Sequence, residues 1–327
     1  FLYENFVFIW GLLQIALVII LLNAYDAGRL RGKIFDKIIP FLPIFMQFSF
    51  GNLFSGFIVF YIRSGSILIS WPFLLILGAL FLGNEFFRKR YLHLSFQTGV
   101  FFIALFSYSV FVTPVLLNEM GASIFLLSGA VSLLILGAVL FLQFLIMPAK
   151  IKFNLKPILV SVGTIYLVFQ ILYFGNIIPP APLSVKDSGI YHSIERVNNG
   201  NYFYRVGFEP APAYLFFEEQ SGTFHKMRGD FVYSYSAIFS PADLDVTILH
   251  KWSYFDETKG DWTEIARIPL NIIGGRDKGY RGYSYIINPA AGKWRVDIIT
   301  GRGQVLGRRN FNVVEVESSP DIETEFR

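Results

Sequence analysis

Gly175-Asn-Ile-Ile-Pro-Pro-Ala-Pro-Leu183 divides this chain into two unlike halves. Its three prolines remove backbone donors and favour polyproline geometry, so the segment ends a helix and begins a stiff exit. Upstream lie long apolar runs with few charges. Downstream, β-forming residues alternate with polar ones between closely spaced turn residues.

Of the 327 residues, 54% are hydrophobic and 16% charged, and the mean hydropathy is +0.50. These values exclude an ordinary soluble domain and indicate an integral membrane protein. The chain has no cysteine, which excludes disulfides, thiolate metal sites and thiol nucleophiles. Residues 1–178 hold 11 Lys or Arg and 5 Asp or Glu, against 17 and 19 in the remainder. The basic character therefore belongs to the apolar half. Its cations lie between apolar runs, where membrane topology is the usual cause, and nucleic acid is not an expected partner.

A spanning helix needs about 20 mostly apolar residues. Six runs qualify: Phe6–Leu22, Ile38–Ile62, Ser66–Gly83, Leu94–Leu117, Ala122–Met147 and Lys156–Ile177. Arg29, Arg31, Lys33 and Lys37 follow the first, Arg88, Lys89 and Arg90 the third, and Lys150, Lys152 and Lys156 the fifth. The other two connections carry only Arg63 between them. The positive-inside rule makes the odd-numbered connections cytoplasmic and places residues 179–327 outside the cytoplasm. By the same parity Phe1 lies outside, which predicts a native chain that begins earlier, with at least one further helix upstream as an option.

Beyond the prolines, alternation marks strands at Tyr202–Phe208, Phe231–Phe239, Leu244–Phe255, Trp262–Ile272, Tyr283–Ile287, Trp294–Thr300 and Phe311–Val316. Asn199-Gly200, Lys259-Gly260, Ala291-Gly292 and Gly301-Arg-Gly303 punctuate them. The expected architecture is a membrane α-helical bundle, 1–178, a Pro-rich linker, 179–188, an antiparallel β-sandwich domain, 189–316, and a loose acidic tail, 317–327.

Asn176-Ile-Ile-Pro-Pro-Ala-Pro-Leu-Ser184 leads to Gly189-Ile-Tyr-His192, and then come His250-Lys-Trp252, Tyr280-Arg-Gly-Tyr-Ser284 and Gly292-Lys-Trp294-Arg-Val296. With the multi-pass apolar half, this order of motifs resembles the bacterial family catalogued as domain of unknown function 2914. The likeness covers about Val246 to Val316 as the domain proper. It implies a bacterial inner-membrane protein with a β-rich domain on the periplasmic side, and it implies no reaction.

The residues supply no reaction either. Asp243-Leu-Asp245 has the DxD form of a metal-holding pair, but it opens a predicted strand with no second carboxylate beside it. His93, His192, His225 and His250 show no metal-ligand spacing, and His250 shares a predicted strand face with Val246, Ile248, Trp252 and Tyr254, which reads as a satisfied core histidine. No catalytic residue, metal site or cofactor is expected. Charged residues of the membrane half fall at or near the ends of the runs, as they do where the interior is not an ion pathway. Gln14, Gln47 and Asn52 lie inside with Ser49 and Ser55 nearby, able to line a path for a neutral solute or to bond neighbouring helices. The membrane half holds 26 of the 36 phenylalanines, whose rings suit lipid contact and leave room for a quinone or pigment.

The reading this favours is a non-enzymatic inner-membrane protein that presents a periplasmic docking or recognition module to a protein partner, as an accessory or scaffold subunit. A carrier or channel for a neutral or lipidic solute is the alternative, and an enzyme acting on envelope lipid or glycan comes third. On the outer domain, Arg281, Tyr283 and Tyr285 alternate after the charged turn Gly275–Gly279 and form the candidate recognition patch. Trp252 and Trp294 are expected to face the core.

Overall fold

The computed structural model describes residues 2–83, 90, 93–199, 201–212, 220–240, 246–272 and 280–327. Arg88, Lys89, the Asp243–Asp245 pair and the turn 275–279 lie outside the described residues. The chain divides into two compact units, residues 1–63 and 67–182, and residues 183–327 with the connection 64–66.

The first unit is helical: α1 (Leu2–Asp26), α2 (Lys33–Ile38), a 3-10 turn (Ile39–Phe41), α3 (Leu42–Arg63), α4 (Ile67–Gly83), α5 (Leu94–Leu117), α6 (Ala122–Ile146) and α7 (Pro148–Phe174). Among the described residues five stretches are long and apolar enough to cross a membrane: 5–26, 33–63, 94–117, 122–146 and 148–174. The third expected run forms α4, apolar but only 17 residues long, at the lower limit for a span. Helix α5 is the centre of the bundle. It is 72% buried over its most apolar stretch, against 28–39% for the other long helices, and it packs on α1, α3, α6 and α7. Small residues allow this approach: a Cβ at Gly129 would lie 2.8 Å from the Tyr166 ring and 3.1 Å from the Phe106 ring.

One boundary departs from the expected helices. The basic segment between the last two runs is not a loop, because α7 starts at Pro148 and carries Lys150, Lys152 and Lys156 in its first turns. Proline suits a first helical position, where its missing N–H is not needed. Lys150 pairs with Asp26 at the end of α1, and Lys152 lies over the Phe144 ring at 5.9 Å. Asn23 Nδ2 donates to Gln97 Oε1 at 2.6 Å, tying the end of α1 to the start of α5. The C-terminal end of α1 and the N-terminal ends of α5 and α7 thus share one end of the bundle, the arrangement that the basic connections require.

The second unit is all β, with β1 (Ser184–Tyr191), β2 (Ser193–Asn199), β3 (Asn201–Phe208), β4 (Thr223–Lys226), β5 (Phe231–Phe239), β6 (Val246–Asp256), β7 (Asp261–Ile272), β8 (Tyr280–Ile287), β9 (Gly292–Thr300), β10 (Val305–Glu315) and β11 (Glu323–Phe326). They form three sheets, ordered β1-β5-β8, β4-β10-β9-β6-β7 and β11-β3-β2, none of them closed. All pairs are antiparallel except β4 with β10. Pro269 is accommodated because β7 is an edge strand.

Where two facing sheets were expected, β5 is buried on both sides. Its Val232 joins Trp252, Trp294, Val296, Phe311, Val313 and Phe224 in one core. Its Tyr235 and Ala237 join Tyr191, Val206 and Phe208 in a second core. The sheet β1-β5-β8 therefore lies between the other two. Strand β1 begins inside the predicted linker, and residues 323–326 of the predicted tail pair with β3 as β11. Both segments gain their order from long-range pairing, which their own composition does not announce.

The sheets and separate cores of this unit predict independent folding. A fragment of residues 183–327 is expected to give β-type circular dichroism and to melt cooperatively, whereas residues 188–317, lacking half of β1 and all of β11, melt at a lower temperature. An aggregating 183–327 fragment would show that the helices complete its core.

Candidate recognition surface

Residues paired across an antiparallel ladder share a face. Strands β5 and β8 pair Tyr235 with Tyr283, Tyr233 with Tyr285 and Phe231 with Ile287. The odd-numbered residues of both strands thus line one side of the sheet. At the Tyr235 end β3 covers them, with the Tyr204 ring 6.0 Å from that of Tyr235. Toward Ile287 the cover ends: Tyr283 is 38% exposed, Phe231 40%, Tyr285 47% and Ile287 59%. The rings run on in a continuous ladder, Tyr283 to Tyr233 at 6.0 Å, Tyr233 to Tyr285 at 5.5 Å and Tyr285 to Phe231 at 5.6 Å.

Two of the three residues expected to form the patch, Tyr283 and Tyr285, lie on this open face. Arg281 sits opposite Ala237, toward the covered end. There burial pushes the Tyr235 phenol up while the Arg281 guanidinium pulls it back. Phe231, Tyr233 and Ile287 enlarge the patch, and the sequence reading missed them because only the strand register makes them neighbours.

Trp252 and Trp294 are core residues, at 0% and 4% exposure. Trp294 Nε1 donates to the Ala290 carbonyl at 2.8 Å, and Trp252 Nε1 to Ser284 Oγ at 2.9 Å. His250 lies beside Trp252, between the five-stranded sheet and the central one, and is fully buried. Its Nε2 meets Ser236 Oγ and its Nδ1 meets Ser284 Oγ, each at 2.8 Å. Burial alone pushes its imidazole down to about 4. With both nitrogens engaged and no surface access, this histidine closes a polar network in the core.

A second cluster joins residues far apart in sequence. Glu209 Oε1 accepts from the backbone N–H of His225 at 2.7 Å and meets His192 Nε2 at 2.7 Å, while Oε2 meets His225 Nδ1 at 2.6 Å. The His192 ring stacks on Phe224 with centroids 3.9 Å apart. Burial opposes ionisation of Glu209, yet its hydrogen bonds from both histidines outweigh that and hold the carboxyl below its ordinary value. The carboxylate engages one ring nitrogen of each histidine, and among the described residues no group of three or more His, Cys, Asp or Glu has metal-holding geometry.

In the helical unit the buried amide side chains among the described residues are Asn23, Gln97 and Gln143, whereas Asn52 is exposed and Gln14 and Gln47 are half-buried. Ser49 and Ser55 bond the carbonyls of Phe45 and Asn52 on their own helix. Of the residues that suggested a solute path, only Ser49 is buried.

No curated protein matches the chain. Among solved structures, an immunoglobulin-like protein from Pseudomonas aeruginosa is similar at 12% identity, over 41% of this chain and 98% of that one, with a TM-score of 0.23. A Pseudomonas fluorescens alkylpurine DNA glycosylase bound to DNA with an abasic-site analogue is similar at 9% identity, over 82% of this chain and 96% of that one, with a TM-score of 0.25. At these scores neither likeness bears on fold or function. Residues 245–313, from β6 into β10, match the family model described as a protein of unknown function, DUF2914.

Proposed function

We propose that this protein is a non-enzymatic, multi-pass inner-membrane protein whose β unit docks a protein partner outside the cytoplasm, as an accessory or scaffold subunit of a larger membrane complex. The observation that carries this reading is the uncovered face of Phe231, Tyr283, Tyr285 and Ile287 around half-buried Tyr233. Contiguous exposed apolar surface of this kind marks interaction sites, and tyrosine is among the residues that anchor them. The apolar helices supply the lipid contact that holds the unit at the membrane.

The test uses the full chain in mild detergent. Tyr283→Ala and Tyr285→Ala are each expected to reduce recovery of the co-purifying protein about tenfold. Both tyrosines are part-exposed, so thermal melting of the β unit changes little. Undiminished recovery with both variants, or collapse of the melt, removes the face from the functional reading.

The orientation is tested separately. Lys150 at the start of α7 pairs with Asp26 at the end of α1, so the basic segments after the first and fifth runs share one end of the bundle, which supports a cytoplasmic placement of that end. Single cysteines at Lys33 and Lys152 should resist an impermeant thiol reagent in spheroplasts, and one at Lys259, in the β6–β7 turn, should react. The reverse pattern would move the β unit into the cytoplasm.

A further inference from the structure

A cavity of about 610 Å³ in the β unit is lined by β1, by the Gln220–Gly222 segment before β4, by Arg308–Phe311 of β10 and by Arg327. It exists because two strand edges stop short of a neighbour. Strand β1 is the edge of its sheet, and Gln220 Oε1 takes the outward N–H of Ile190 at 3.1 Å. Strand β4 covers β10 only at Asn312–Glu315, so Arg308–Phe311 pair with β9 alone. The space is of small-molecule size.

Its charges are unevenly satisfied. Arg308 is committed to both oxygens of buried Asp297. Arg327 pairs with Asp187 at 3.4 Å and Glu325 at 3.0 Å. Lys186 and Arg309 are different, since neither meets a carboxylate among the described residues. Lys186 Nζ rests 4.8 Å from the centroid of the Phe239 ring, and Arg309 Nε donates to the neutral hydroxyl of Ser188 at 3.0 Å. Residues 179–327 carry 17 Lys or Arg and 19 Asp or Glu, so two cations at one cavity that meet no carboxylate among the described residues do not follow from an excess of basic residues. Ser221 and Asn310 add neutral hydrogen-bonding groups to the walls.

We propose that this cavity binds a small polyol bearing a phosphate. Lys186 supplies a point charge and Arg309 a planar donor fork for the phosphate oxygens, the two modes by which these side chains hold such groups. Ser221, Asn310 and Gln220 take the hydroxyls. The site is separate from the aromatic face, so it stands whether or not that face docks a protein.

The test titrates the full chain, in a detergent without a sugar head, with glycerol 3-phosphate and with glycerol. Saturable binding of the phosphate and none of glycerol is expected, weakened about tenfold or more by Lys186→Gln or Arg309→Gln. Both side chains are exposed, so the variants keep the fold, and an unchanged melt confirms it. Tyr285→Ala should bind the phosphate as the native chain does. Micelles doped with short-chain phosphatidylglycerol or with phosphatidylcholine identify the source of the group. Competition with glycerol 3-phosphate by the first alone assigns a lipid headgroup, and competition by neither assigns a soluble ligand. Either result supports the site. No saturable binding of glycerol 3-phosphate, or equal binding by the native chain and both glutamine variants, overturns it.

Discussion

Replacement of Trp252 by alanine is expected to destabilise the β unit by about 3–5 kcal/mol. The indole is fully buried, and its ring meets Phe311 edge-on at 6.3 Å. It lies where the five-stranded sheet faces the central one, so a cavity there separates layers instead of collapsing locally. The substitution also removes the donor to Ser284 Oγ. Hydrogen exchange on the full chain reads the effect by unit: amides of β6 and β9 should lose protection, while those of α5 keep theirs. A loss below about 1 kcal/mol would mean that the two sheets are not held together at this point.

The second large effect is a pH dependence set by His250. In the unfolded chain its imidazole titrates at 6.5; in the folded unit burial holds it near 4. Between these values the unfolded state binds the additional proton, so stability rises with pH. The contribution is complete above about 6.5 and is lost progressively as pH falls toward 4, reaching about 3 kcal/mol in all. Glu209 acts lower. Its carboxyl is depressed, so its contribution is present above 4.5 and disappears as pH falls through the folded value. Denaturant unfolding at pH 7 and pH 5 should therefore differ by about 2 kcal/mol more in the native chain than in His250→Gln, which has no imidazole to titrate. Equal differences in the two proteins would show that the buried site is hydrated or already charged.

The helical half was legible because a run of apolar residues long enough to span a membrane has few alternative readings. The start of α7 was not, because lysines at helix positions near a membrane surface look the same in sequence as lysines in a loop. Strands β5, β6, β7 and β9 announced themselves by runs of β-forming residues between turn residues. Strand β11, Glu323–Phe326, is exposed throughout and has no such signature. Its order comes from β3, more than a hundred residues earlier. The same distinction governs the sites. The spacing of Tyr283 and Tyr285 was readable within one strand, but Phe231 and Tyr233 reach them through register. The pairing of Glu209 with His192 and His225 spans 17 and 16 residues of sequence and depends on where β3 and β4 come to lie. The signal that was available, a lone acidic residue ending a strand between two histidines, is too common to have selected it.

The central claim is that the β unit recognises a partner through its open aromatic face. A photo-crosslinking phenylalanine analogue placed at Tyr285 in the full chain, in cells, tests it most directly, with the same analogue at Lys259, an exposed turn position, as reference. The account predicts one discrete adduct at position 285 that is absent at 259 and disappears when Phe231 is changed to aspartate. No adduct at 285, or the same adducts at both positions, would contradict it.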